Sequence, residues 1–175
     1  MKKYNIIHAI PFYSSIYGGP PYVARALNTL FNRNRYKSIL LTLGNKNEVK
    51  NTIFFKPTTA NFWYSYDFMV NSIKHIKNAD IVFIHGIYTF ISLWSSIIAK
   101  YYKKQVYILP HGMFDKNSIE SSSFLKNNLR KFYLNSVGTF QVNNSIKVIF
   151  NSHKEMNNSI FKSNGCVIPN GVDLD

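Results

Sequence analysis

The chain has 175 residues, 46% of them hydrophobic, which is enough for one domain with a proper core. Its 21 lysines and arginines face 8 aspartates and glutamates, a formal net charge of +13. No apolar run approaches the ~18 residues of a membrane span, and a lone cysteine, Cys166, excludes a disulfide framework or cysteine metal cluster and suits a reducing cytoplasm.

The charge has two readings. It marks an anionic partner, a membrane surface before nucleic acid, or it reflects the base composition of an AT-rich genome. Only Arg25, Arg33, Arg35 and Arg130 are arginines, and the other basic residues are lysines, which lack the planar fork suited to bidentate phosphate or base contacts. The N-terminus MKKYNIIHAI is broken by Asn5 and His8 and has no small-residue cleavage site, so it reads as a buried strand, not a signal peptide.

From that strand, Tyr4 to Ile10, the predicted elements alternate. Gly18-Gly19-Pro20-Pro21 opens a helix with Val23, Leu27, Leu30 and Phe31 at helical spacing. Ser38 to Leu43 and Thr52 to Phe55 are strands. Phe62, Tyr66, Met69, Val70, Ile73 and Ile76 form the core stripe of one long helix. Asp80 to His85 is a continuous β-branched strand, followed by a helix from Tyr88 to Tyr102 and a strand from Gln105 to Leu109. A helix capped by Ser123 runs to Asn135, then come a strand (Lys147 to Asn151), a short helix (His153 to Phe161) and a last strand (Cys166 to Ile168). Repeats and low-complexity linkers are absent. This alternation predicts an α/β fold, a doubly wound Rossmann-like parallel sheet forming a single domain over 1–175.

Such a sheet binds ligands at the carboxyl ends of its strands, so the loops after strands hold the candidates. They are Pro11 to Gly19, His85-Gly86, Pro110-His111-Gly112, Asn151-Ser152-His153 and Pro169-Asn170-Gly171. His85, His111 and His153 share that rim, whereas His8, inside a strand, and His75, on a helix, read as isolated histidines satisfying their own hydrogen bonds. Gly18 and Gly19 let backbone approach a ligand, and the helix behind them offers a seat for phosphate, although each proline removes a donor. The pattern is not GxGxxG, so a nicotinamide or flavin cofactor is not indicated.

GGPPYVARAL, ADIVFIHG, ILPHGMFD, VIFNSHKE and VIPNGVD occur in that order. Together they resemble the N-terminal, acceptor-side domain of bacterial family 4 glycosyltransferases of the GT-B fold. The resemblance implies half of a GT-B fold: a Rossmann-like domain facing a C-terminal donor domain across a cleft. It implies retaining sugar transfer from a nucleotide-sugar co-substrate to a glycan or lipid-linked acceptor in surface-polysaccharide synthesis, without metal or cofactor. By the same resemblance Gly18 and Gly19 face the donor diphosphate, His111 approaches the transferred sugar, and His85 and Gly86 line the acceptor side. Asn151, Ser152 and Glu155 match a loop of the family that here reads Asn-Ser-His-Lys-Glu; the resemblance implies that Asn151 and Ser152 help bind the acceptor and that Glu155, like Asp115, supports the site from behind. Asp115 is the acid nearest His111 in sequence; it orients that ring or caps a helix.

The sequence stops at Asp175, before any donor domain. The expectation is a chain inactive alone, its missing half lost or carried on another polypeptide. It would sit in the cytoplasm or peripherally on the inner face of the plasma membrane. The alternatives are a non-catalytic half-domain that binds another protein or dimerises through the uncovered surface, and a nucleic-acid binder, which charge alone motivates and no recognition motif supports.

Overall fold

A computed structural model describes residues 4–44, 49–116, 124–162 and 164–170. Seven strands make one sheet: β1 (Asn5–Phe12), β2 (Lys37–Leu43), β3 (Thr52–Phe55), β4 (Ile81–His85), β5 (Gln105–Leu109), β6 (Lys147–Phe150) and β7 (Gly165–Val167). Their order is β3-β2-β1-β4-β5-β6-β7, and every pairing is parallel. The chain is thus a doubly wound Rossmann-like α/β domain. Strand order reverses between β1 and β4, which makes the gap beyond their carboxyl ends the topological switch point.

The described helices are α1 (Gly19–Arg33), α2 (Tyr66–Asn71), α3 (Ile73–Lys77), α4 (Phe90–Tyr101), α5 (Phe124–Tyr133), α6 (Thr139–Asn143) and α7 (His153–Asn158). Alternation along each strand divides the core between two faces. Ile7, Ala9, Val82, Ile84, Val106 and Ile108 point to one face, under Phe68, Ile76, Ile91, Ile98, Leu134 and Val142. Ile6, Phe83, Leu109 and Ile149 point to the other, where Val23, Leu27 and Phe31 of α1 meet them. A fully buried Val, Leu, Ile or Phe side chain among them contributes about 1.5–3 kcal/mol.

Three expectations need correction. Pro11 does not open a loop; β1 runs on through it to Phe12, with a register shift against β2 between Ala9 and Phe12. The pairing with β4 ends at Ala9, so Pro11, which has no N–H, falls where the ladder is already irregular.

The long helix at 62–76 is broken. A 3₁₀ turn (Asn61–Trp63) precedes α2, and α2 stops at Ser72 before α3. Its buried stripe is Ser65, Phe68, Ser72 and Ile76, while Phe62, Tyr66 and Val70 are exposed.

The helix expected to run from Ser123 does not end at Asn135. A π turn (Leu134–Gly138) carries α5 into α6, and Tyr133 beside it turns its hydroxyl onto the carbonyl of Ile87 at 2.6 Å. The Ser123 cap lies outside the described residues.

Candidate active site

Three of the five histidines form one line. Nδ1 of His8 lies 3.0 Å from Nε2 of His85, and Nδ1 of His85 lies 3.1 Å from Nε2 of His111. Sheet register explains it. His8 pairs with Phe83 and His85 pairs with Leu109, so each step crosses to the next strand and advances two residues. Two residues keep the side chain on the same face, and the diagonal separation is within reach of an imidazole. His8 is therefore not an isolated histidine; it stacks on Phe83 (centroids 5.0 Å apart) and anchors the line from inside the sheet.

Burial keeps the three rings neutral. It lowers His8 from 6.5 to about 3 and His111 to about 4. His85 falls well below its ordinary value, first by burial and then by the proximity of His8 and His111. At only 2% exposure, with both nitrogens facing other rings, His85 has nothing left to offer an acceptor, contrary to the role expected for it. Gly86 is likewise covered. It has φ +80°, and a Cβ there would lie 3.1 Å from Cε of Met113.

His111 is presented by a tight turn. His111 and Gly112 have φ 51° and 80°, and the N–H of Met113 donates to the carbonyl of Pro110 at 3.0 Å. Positive φ at both central positions is the pattern of a type I′ turn. A non-glycine residue held there stores backbone strain of the kind that collects at functional sites.

Glu155 holds this turn from the neighbouring loop. Its Oε1 accepts the N–H of Gly112 and its Oε2 the N–H of Asn151, both at 2.7 Å. The Ser152 hydroxyl accepts the N–H of Glu155 and caps α7. Ser152 thus has a structural use for its oxygen, and Glu155 braces the turn that carries His111. Asp115 does not orient His111; its Oδ2 faces Nδ2 of Asn158 at 3.5 Å, and His85 orients the ring instead. The helix Asp115 was expected to cap lies outside the described residues.

Across the switch point, Gly18 ends the loop after β1 with φ 88° and ψ −153°, a conformation open to glycine, and serves as N-cap of α1 without a side-chain bond. A Cβ on Gly19 would meet no atom within 4 Å. Pro20 and Pro21 follow, so of the first three helical positions only Gly19 carries an N–H.

An aromatic cluster that the sequence did not single out adjoins this turn. Tyr17 stacks on Phe12 (4.6 Å), and Trp63 meets both edge-on at 5.3 Å. Phe62 and Trp63 have φ 55° and 53°, a second strained pair on the same rim. His153 is exposed in the first turn of α7. His75, on α3, lines a cavity of about 210 Å³ with Asn5, Lys37 and Lys74, at the amino ends of the strands. Among the described residues no group of three or more His, Cys, Asp or Glu converges as a metal ion would require.

The profile of Glycosyltransferase Family 4 matches residues 17–175. The chain belongs to glycosyltransferase family 4. Among solved structures, this family 4 chain is similar to one solved under the name of a UDP-N-acetylglucosamine 2-epimerase from Listeria monocytogenes (TM-score 0.57, 12% identity, 94% of this chain and 45% of that one). It is also similar to an α-glucosyltransferase in complex with UDP and a 13-mer DNA containing an A:G mismatch (TM-score 0.52, 13% identity, 93% and 39%). The same enzyme description recurs with a DNA containing an HMU base (TM-score 0.51, 11% identity, 93% and 38%). At these identities the likeness is one of fold, and the family 4 chain spans less than half of each matched structure. None of the curated proteins matches it.

Proposed function

We propose that this family 4 chain is the acceptor-side wall of a retaining glycosyltransferase, moving a sugar from a nucleotide-sugar to a lipid-linked or polysaccharide acceptor in surface-glycan synthesis. The observation that carries the reading is a shared strand end beside the switch point. The glycine turn after β1 and the strained His111 turn after β5 lie at the same ends of parallel strands.

Sugar transfer separates an anomeric carbon from a diphosphate through an oxocarbenium-like state, leaving negative charge on the departing group. The positive end of α1 and the amide of Gly19 would face that charge. The seat is narrower than a full helix terminus, because two of its first-turn positions are prolines. The rest of the charge would fall to a donor domain closing from the other side, which also excludes water. His111, neutral at physiological pH, would hold the transferred sugar by a hydrogen bond. Tyr17, Phe12 and Trp63 would line the acceptor approach, aromatic faces being suited to sugar rings or lipid.

The proposal extends to docking on an anionic membrane surface, and that part rests on α5. Leu129 and Phe132 are exposed there, next to Arg130 and Lys131, on a chain of net charge +13. Apolar and basic residues mixed in this way suit the surface of an anionic bilayer. No helix among the described residues is long and apolar enough to cross a membrane.

Amide chemical-shift mapping with a panel of nucleotide-sugars tests the proposal. Shifts should concentrate at Gly18, Gly19, His111, Gly112 and Asn151. Shifts centred instead on Asn5, Lys37 and Lys74, at the opposite edge, would overturn it.

A further inference from the structure

The line of imidazoles constrains itself. A neutral histidine carries one N–H and one bare nitrogen. Both nitrogens of His85 face another ring, so one contact must be donated by His85 and the other accepted by it. The two links therefore run in the same direction, and the three tautomers are locked together. Either every ring is protonated at Nδ1, or every ring is protonated at Nε2. A doubly protonated His85 would place a charge at the most buried point of the line, between two other imidazoles.

The far end decides between the two directions. Nε2 of His8 is buried and has no hydrogen-bond partner among the described residues. With Nε2–H tautomers it would be a stranded donor. With Nδ1–H tautomers it is only a bare lone pair, the kind of orphan that folded proteins tolerate better than a buried N–H without an acceptor. Nor can the neighbouring rings take that N–H. Phe83 lies nearly parallel to His8 at 11°, and Phe31 is tilted by only 32°, so neither turns its face toward the edge of the imidazole.

We infer that His8 and His85 are positioning residues that lock His111 as its Nδ1–H tautomer, so that His111 offers the cleft a hydrogen-bond donor and not a base. The line is also a dead end for protons, because it terminates at a buried nitrogen with no exit. It fixes a direction and does not relay. The catalytic consequence, that His111 grips an oxygen of the sugar without deprotonating the acceptor hydroxyl, rests on the function proposed above; the tautomer itself does not.

The test needs no substrate. Long-range proton–nitrogen correlation spectra of protein labelled with nitrogen-15 histidine, at neutral pH, distinguish the protonated from the bare nitrogen in each ring. Signals are assigned by the loss of one ring's set in His111→Asn and in His8→Phe. The expected result is Nδ1–H with bare Nε2 for His8, His85 and His111 alike. Nε2–H at His111, or one averaged signal from both of its nitrogens, overturns the inference. In folded His8→Phe, which keeps the stacking partner of Phe83, Nε2 of His85 becomes the buried nitrogen without a partner, and the same preference for a bare lone pair keeps His85 and His111 as Nδ1–H. Nε2–H at His111 in that variant overturns the argument from the buried end, and if the variant does not fold, the wild-type tautomers decide alone. Tautomers as expected in a chain that binds no nucleotide-sugar would uphold the lock and sink the proposed function.

Discussion

Glu155 grips Gly112: the carboxylate Oε1 accepts the glycine N–H at 2.7 Å while Oε2 takes the N–H of Asn151. One side chain thereby ties the loop after β5 to the loop after β6, directly behind His111. Glu155→Gln replaces one acceptor oxygen by an NH₂ that confronts an N–H. Hydrogen bonds to a charged group contribute about 1.5–3 kcal/mol each, so the variant should lose about that much stability. Thermal unfolding would register a fall of several degrees in Tm, and an unshifted melt would mean that the carboxylate is not holding the turn.

Gly18 and Gly19 should respond in opposite ways to alanine. Gly18 sits at φ 88°, and Gly18→Ala is strained whatever the space around it, by about 1–2 kcal/mol. Gly19 has open space where its Cβ would go. Gly19→Ala should fold as well as the parent, or better by a few tenths of a kcal/mol. If Gly19 faces a diphosphate, the same alanine should weaken nucleotide-sugar binding in calorimetry. Unaltered affinity in a stable Gly19→Ala protein would remove this glycine from the site.

Acid should destabilise the fold before it touches most carboxylates. An unfolded histidine takes up its proton near pH 6.5, whereas His8 and His111 in the folded chain do so only at about 3 and about 4, and His85 is held low as well. Between those limits the unfolded state binds more protons. Stability is therefore full above pH 6.5 and declines as the pH drops toward 4, by up to about 1.4 kcal/mol per pH unit for each ring. Urea unfolding at pH 7.5, 6 and 5 should show this slope, reduced by about a third in His8→Phe. An equal slope in parent and variant would show that His8 does not titrate as described.

Purified as 175 residues, the chain should show no sugar transfer from any nucleotide-sugar, since one wall supplies neither the whole diphosphate site nor a closed cleft. Adding a family 4 donor domain in trans is the complementary assay. Steady turnover by the 175-residue chain alone would contradict the division of labour proposed here.

The strands were legible because buried parallel strands are continuous and β-branched: DIVFIH and QVYIL stand out against their surroundings. The helices around 62–77 were misread for a physical reason. Their inward positions include Ser65 and Ser72, both fully buried, and small hydroxyls are invisible to a hydrophobic pattern while exposed Phe62, Tyr66 and Val70 mimic one.

At the site, His111 and its glycine could be found from the loop they occupy. His8 could not, because its meaning depends on β4 lying beside β1 with Phe83 opposite His8. Strand order and register of that kind are set by packing across 75 or more residues of chain, not by the residues next to it. The positive φ of Phe62 and Trp63 was hidden for a similar reason: side chains of that size carry no local signal for a left-handed turn.

The staircase of histidines across β1, β4 and β5 exists only when three strands distant in sequence have closed in the correct alignment. A slip of one residue in either pairing would send one ring to the opposite side of the sheet and dissolve the nitrogen–nitrogen contact across that pairing. The interior imidazole protons, shielded from solvent in the closed state, are therefore a built-in gauge of assembly. Following their solvent exchange during refolding would time the moment at which the centre of the sheet comes together, with no foreign label attached.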